Sequence, residues 1–287
     1  MVSIYVIGSV ARKDSDILSD KDLLAVGCPV EVAIAVSDYA KSGWNIAHYS
    51  KPEFEAMARS LSLFVQHVKQ DGRFVRDDQG YLRKILECYS ANQDYTQQLS
   101  VAIKPIRSLG EIERGYWGKL FQADILYVAV RNACILHRAT VAQPEFDFDR
   151  LITWVSGTIG LKSAEKDALL RLRSLKHAYR ARCTTIDVSD FSDVASIART
   201  LADYWASLSC SAVNKKEFSN GYFEVRALEG QLVRAVGPVF MDELGGCHEL
   251  ADLWSTICNS DPYKPRPPHL PRWSRNVSDF LSNQQYH

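Results

Sequence analysis

Residues 4–26, IYVIGSVARKDSDILSDKDLLAV, decide how the rest of the chain is read. Val2 to Ile7 is β-branched and aromatic, which predicts a strand running straight into Gly8-Ser9. A glycine at such a junction lets the backbone turn tightly and approach a ligand. The serine beside it offers a hydroxyl and its own N–H to an anion. A polar loop over residues 10–19 then leads to Asp20-Lys21-Asp22 and the apolar run 23–26, a second strand. Side chains alternate across a strand, so Asp20 and Asp22 are expected on one face and Lys21 on the other.

Two carboxylates side by side repel each other unless a cation sits between them. Hard oxygen ligands of this kind suit Mg²⁺, which keeps several waters and completes its shell with substrate phosphates. Two such ions about 4 Å apart activate an attacking oxygen and steady a leaving one in a phosphoryl-type displacement.

Gly8-Ser9, ten intervening residues, then Asp20-x-Asp22 and an apolar strand resembles the signature of the DNA polymerase β-like nucleotidyltransferase superfamily. That superfamily includes the aminoglycoside nucleotidyltransferases and the minimal nucleotidyltransferases of toxin–antitoxin modules. The resemblance covers roughly the first ninety residues, judged on this one signature. It implies a metal-dependent enzyme moving a nucleoside monophosphate from a nucleoside triphosphate, ATP first among them, to a hydroxyl acceptor with release of pyrophosphate. The acceptor class stays open among a small molecule, a protein and an RNA end. By the same resemblance Asp20 and Asp22 are catalytic and hold the metal, with two Mg²⁺ ions expected. Gly8, Ser9, Arg12 and Lys13 bind the nucleotide. The third strand, residues 44–49, carries Asn45 where the family commonly has a third acid, and an amide neither accepts a proton nor carries negative charge. A third acid from elsewhere (Glu111 and Glu113 are candidates), a site working with two carboxylates, and a domain that binds nucleotide without turnover all remain open. Lys21 departs from the usual apolar residue between the aspartates; a long stem that snorkels to the sheet edge accommodates it.

Composition narrows the field. A chain of 287 residues can bury a large core and points to more than one domain. Lys plus Arg and Asp plus Glu balance at 34 each, so the long-range positive field of non-specific nucleic-acid binders is missing. The 7 cysteines, scattered and odd in number with no CxxC pair, favour reduced thiols in a cytoplasmic protein. No secretory signal or membrane span is expected.

The expected architecture is α+β: a small mixed-sheet core over residues 1–90, an all-α helical bundle over 91–260, and a proline-rich basic tail over 261–287. In the first part, a helix opened by Pro29-Val30-Glu31 and running over 32–41 and another over 51–69 are expected, followed by a hairpin over 74–82. Helices then follow over 95–109, 112–137, 147–159, 163–180, 190–210 and 221–236, with another over 241–257. The tail, DPYKPRPPHLPRWSRNV from residue 261, is expected to be extended and polyproline-like.

A competing reading comes from Arg131 to His137, which resembles the R-x(4–6)-H motif of HEPN helical domains, partners of minimal nucleotidyltransferases in toxin–antitoxin and defence systems. Six helical positions put the two side chains about 120° apart, which favours a salt-bridged arginine and a helix-end histidine. The basic run Arg171, Arg173, Lys176, Arg180 and Arg182 reads as a solvated face. A silent nucleotide-binding module is the third reading, and an oligomer is compatible with all three.

Overall fold

The computed structural model describes residues 1–109, 115–208, 221–236, 250, 253, 256–257 and 268–284. The chain is mixed α+β and packs as two compact units. One comprises Met1–Tyr95 with Arg138–Leu151; the other comprises Thr96–His137 with Ile152–His287.

The first unit is built on four strands, β1 (Ser3–Ile7), β2 (Asp22–Val26), β3 (Asn45–Tyr49) and β4 (Arg73–Asp77), in the order β3-β2-β1-β4. β1 runs antiparallel to both β2 and β4, while β2 and β3 are parallel. A parallel pair needs a crossover, supplied by α2 (Pro29–Ala35) and α3 (Ser37–Lys41). Strand alternation sorts the side chains into two layers. Tyr5, Ile7, Leu24, Val26 and Tyr49 pack against Phe54 of α4 (Lys51–Arg59), Phe64, Val65 and Val68 of α5 (Leu63–Asp71) and Leu82 of α6 (Tyr81–Cys88). Val2, Ile4, Leu23 and Ala25 face Val32 and Val36 on the other side. Leu23, Leu24 and Val26 are fully buried, each contributing about 1.5–3 kcal/mol.

Several expected elements are redrawn by local chemistry. The loop after the first strand opens with one helical turn, α1 (Gly8–Arg12), which Lys13 closes in the left-handed conformation. The helix expected to open at Pro29 and run to 41 does start there, but it breaks at Val36. The helix expected over 51–69 is two: Leu61 turns left-handed and Ser62 caps α5 by accepting the Phe64 N–H. The expected hairpin over 74–82 is a single strand followed by a turn and a helix. Asp77, at the end of β4, accepts the N–H groups of Leu82 and Arg83 and so starts α6 where a return strand was expected.

In the second unit the helix expected over 95–109 divides into α7 (Thr96–Ala102) and α8 (Lys104–Ser108) around Pro105, which has no N–H to continue the ladder. Then come α9 (Gly115–Val141), α10 (Phe148–Ile159), α11 (Ser163–Arg180), α12 (Phe191–Leu208) and α13 (Gly221–Val236). α9 and α10 each lend a few residues to the first unit. The tail is corrected in part: Leu270–Gln284 forms a helix, α14, burying Leu270, Trp273 and Val277. Pro271 falls in its first turn, where a missing N–H costs little, and 270, 273 and 277 share one helical face. The helix expected over 241–257 lies almost entirely outside the described residues.

A buried ion cluster joins three helices of this unit. Asp124 of α9 accepts from Arg180 of α11, at 2.8 Å to Nη2, and from the fully buried Arg226 of α13. Glu229 lies 2.5 Å from Arg226 and accepts the Tyr179 hydroxyl at 2.6 Å. Burial works to raise the Asp124 carboxyl, but the charges of Arg180 and Arg226 outweigh it and hold the group below the usual carboxylate range.

Candidate functional site

Strand register brings the site together at one end of the sheet. Asp22 is paired with Ile7 across β1 and with Asn45 across β3, so the first residue after β1, Gly8, falls beside the first residues of β2 and β3. Asn45 Nδ2 donates to Asp22 Oδ1 at 3.3 Å. Gly8 has φ +71°, and a Cβ built on it would stand 3.2 Å from Asp22 Oδ2. One carboxylate oxygen is therefore held by an amide and the other abuts a glycine. Both demands on Gly8, a left-handed backbone and a close approach, disfavour a side chain there.

Alternation puts Asp22 and Asn45 on the sheet face that carries Leu24, Val26 and Tyr49, above the layer formed by α4 to α6. Asp20 lies outside β2, which begins at Asp22, and is exposed. Lys21 between them is also exposed, and its carbonyl accepts the Asn45 N–H at 2.8 Å, extending the β2–β3 ladder by one bond. Ser9 is half-buried in α1, and its carbonyl accepts the Asp14 N–H. Lys13 is exposed at the end of that turn.

The Asp22 carboxylate and the Asn45 amide oxygen meet at this end, and Asp20 lies two residues before β2; all three carry hard oxygens of the kind Mg²⁺ takes. Among the described residues no group of three or more His, Cys, Asp or Glu is arranged to hold an ion. A metal here would draw the remainder of its shell from water and a ligand. Glu111 and Glu113, the candidates for a third acid, lie outside the described residues.

Arg12 has a different setting from the one expected of a triphosphate partner. Its guanidinium donates to Asp14 at 2.9 Å and Asp71 at 3.2 Å, and lies 3.5 Å from Asp147. Burial pulls its pKa down, but the hydrogen bonds and charges of Asp14 and Asp71 more than reverse this. Burial pushes the Asp71 carboxyl up against the pull of Arg12. His67 lies beside this group, with Nε2 3.5 Å from Asp71 and its ring stacked on Phe146. Neither Asp71 nor Asp147 was singled out from sequence as a partner of Arg12. The one local signal is at Asp147, which caps α10 by accepting the Arg150 N–H.

His137 is buried at 4 % exposure. Its Nδ1 accepts the Trp205 indole N–H at 3.2 Å, and its ring packs against those of Trp154 and Tyr204. Burial holds its pKa below the ordinary value. An imidazole accepting at Nδ1 carries its proton on Nε2 and is neutral, the state of a core histidine.

No protein-family model, no curated protein and no solved structure matches this chain. Among the described residues, no helix is long and apolar enough to cross a membrane.

Proposed function

We propose that the chain is a magnesium-dependent nucleotidyltransferase of the DNA polymerase β-like type, moving a nucleoside monophosphate from a nucleoside triphosphate to a hydroxyl acceptor. The observation that carries this reading is the convergence of Gly8, Asp22 and Asn45 at one sheet end, with Gly8 in contact range of Asp22 Oδ2. Residues that lie fourteen positions apart in the motif, 8 and 22, meet as the chemistry requires.

In this reading Asp20 and Asp22 hold Mg²⁺, which supplies charge neutralisation to the phosphates. Gly8 lets the main chain approach the triphosphate, and Ser9 orients a phosphate oxygen through its hydroxyl and N–H. Asn45 keeps the Asp22 carboxylate turned toward the site. The acceptor hydroxyl oxygen attacks the α-phosphorus in line, giving up its proton to solvent, as the bond to pyrophosphate breaks and pyrophosphate leaves. Positioning and charge neutralisation supply most of the acceleration, as phosphoryl-type transfer demands. Labelled triphosphates incubated with Mg²⁺ and an acceptor panel test it: pyrophosphate release that disappears in Asp22→Ala supports the reading, and release that persists in Asp22→Ala contradicts it.

Asn45 favours a second reading, a nucleotide-binding module without turnover, because the neutral amide occupies the strand position beside Asp22. Mg²⁺-dependent nucleotide binding with no product across the panel distinguishes it. The burial of His137 weighs against the HEPN-like alternative.

A further inference from the structure

We infer that Arg12 is a positioning residue for the Gly8–Arg12 turn, clamped by Asp71 and Asp147, and does not itself bind the phosphates of a ligand. The inference rests on the nucleotide-binding reading of Gly8, Ser9 and Asp22, and gives Arg12 a role opposite to that implied by its place in the motif.

Three features carry it. The guanidinium meets carboxylates on three sides, from Asp14, from Asp71 at the end of α5 and from Asp147 at the start of α10. The Arg12 and Asp71 side chains keep only 15 % and 8 % of their surface exposed, so these charges are poorly screened and strongly coupled. The local charge is also of the wrong sign for a triphosphate: one cation stands among three aspartates, and Glu145 is close enough to push the Asp71 carboxyl further up. A triphosphate competing for Arg12 would have to displace charge-assisted hydrogen bonds and come to rest against unpaired carboxylates.

The clamp has a structural consequence for the site. Arg12 is the last residue of the turn whose first residue is Gly8, and Gly8 must hold a left-handed φ while lying against Asp22. Tying the far end of that turn to α5 and to residue 147 fixes where Gly8 and Ser9 sit relative to Asp22. Segment 138–151, far from the motif in sequence, thereby becomes part of the support of the site.

The experiment compares wild type with Asp71→Asn, Asp147→Asn and Arg12→Lys, measuring Mg·ATP affinity and the hydrogen exchange of the backbone amides of residues 8–13. A clamp predicts that all three variants weaken ATP binding, each by about tenfold, the scale of one lost charge-assisted hydrogen bond. It also predicts faster exchange at residues 8–13 with unchanged exchange in β2 and α11, the control for intact folding. Tighter ATP binding in Asp71→Asn or Asp147→Asn would overturn it, since a guanidinium released from its acids would then be reaching the phosphates. Wild-type exchange rates at residues 8–13 in all three variants would overturn it as well. If wild type itself binds no ATP, the nucleotide reading falls, and the exchange comparison alone decides the clamp.

Discussion

Asp22 is gripped from two sides: Asn45 donates its amide to Oδ1 at 3.3 Å, and Gly8 comes close enough to Oδ2 that a Cβ would lie 3.2 Å away. The carboxylate that the motif nominates as a metal ligand therefore has its orientation set by its two strand neighbours.

Gly8→Ala tests the glycine. The left-handed φ costs a non-glycine residue about 1–2 kcal/mol, and the new methyl group presses on the carboxylate. The variant is expected to unfold at a correspondingly lower denaturant midpoint and to lose nucleotide affinity. A variant as stable as wild type would mean that the turn relaxes freely.

Asn45→Asp tests what the amide does. It replaces a donor by a second carboxylate directly beside Asp22, so the metal-free protein should melt lower and gain more from Mg²⁺ than wild type does. Thermal melts with and without Mg²⁺ measure both quantities. Equal Mg²⁺ shifts in variant and wild type would show that this end of the sheet does not gather cations.

The acid limb of stability has an identifiable contributor at Asp78. Hydrogen bonds from Arg76, and then from the Val2 N–H, pull its pKa down from 3.8 to about 2. A carboxyl depressed on folding stabilises the fold above its unfolded pKa and loses that contribution as pH falls through the folded value. The stability gap between wild type and Asp78→Asn is therefore expected at pH 6 and should close between about pH 4 and pH 2. Urea midpoints at pH 6, 4 and 2.5 check it. The exposed Arg76 makes part of the effect salt-sensitive.

In the helical unit, Asp124→Leu leaves Arg226 buried without one of its two acids and takes away the carboxylate partner of Arg180. Breaking one member of a buried ion group costs about 3–5 kcal/mol. Denaturant unfolding should show that loss; a cost under about 1 kcal/mol, the scale of exposed pairs, would mean that water replaces the lost partner.

How far the chain can be read without coordinates follows the range of the forces involved. Gly8 and Asp22 meet because strand period and motif spacing are local properties that the residue pattern displays openly. The first three strands and the succession of helices were legible from periodicity for the same reason, whereas the mixed sheet was expected through the family resemblance and the expected hairpin supplied one strand, not two. The break at Pro105, the cap at Ser62 and the 270, 273, 277 spacing were also in plain view, but proline content in the tail and apolar continuity elsewhere masked them. The turn ending at Gly80 (φ +64°) was legible, but not that the Asp77 carboxylate reaches across it to the Leu82 and Arg83 N–H groups and starts a helix. The two distant partners of Arg12 were beyond reach: Asp71 lies 59 residues away and Asp147 further still, and no local signal ties an arginine to an acid at that range.

The most direct test of the central claim is equilibrium binding of ATP to the full chain, with and without Mg²⁺, in wild type and Asp22→Asn. The expected result is binding that requires Mg²⁺ and is lost in the variant, while its far-UV spectrum and thermal melt stay near those of wild type. ATP binding that ignores Mg²⁺, that survives Asp22→Asn undiminished, or that is missing in wild type would contradict it.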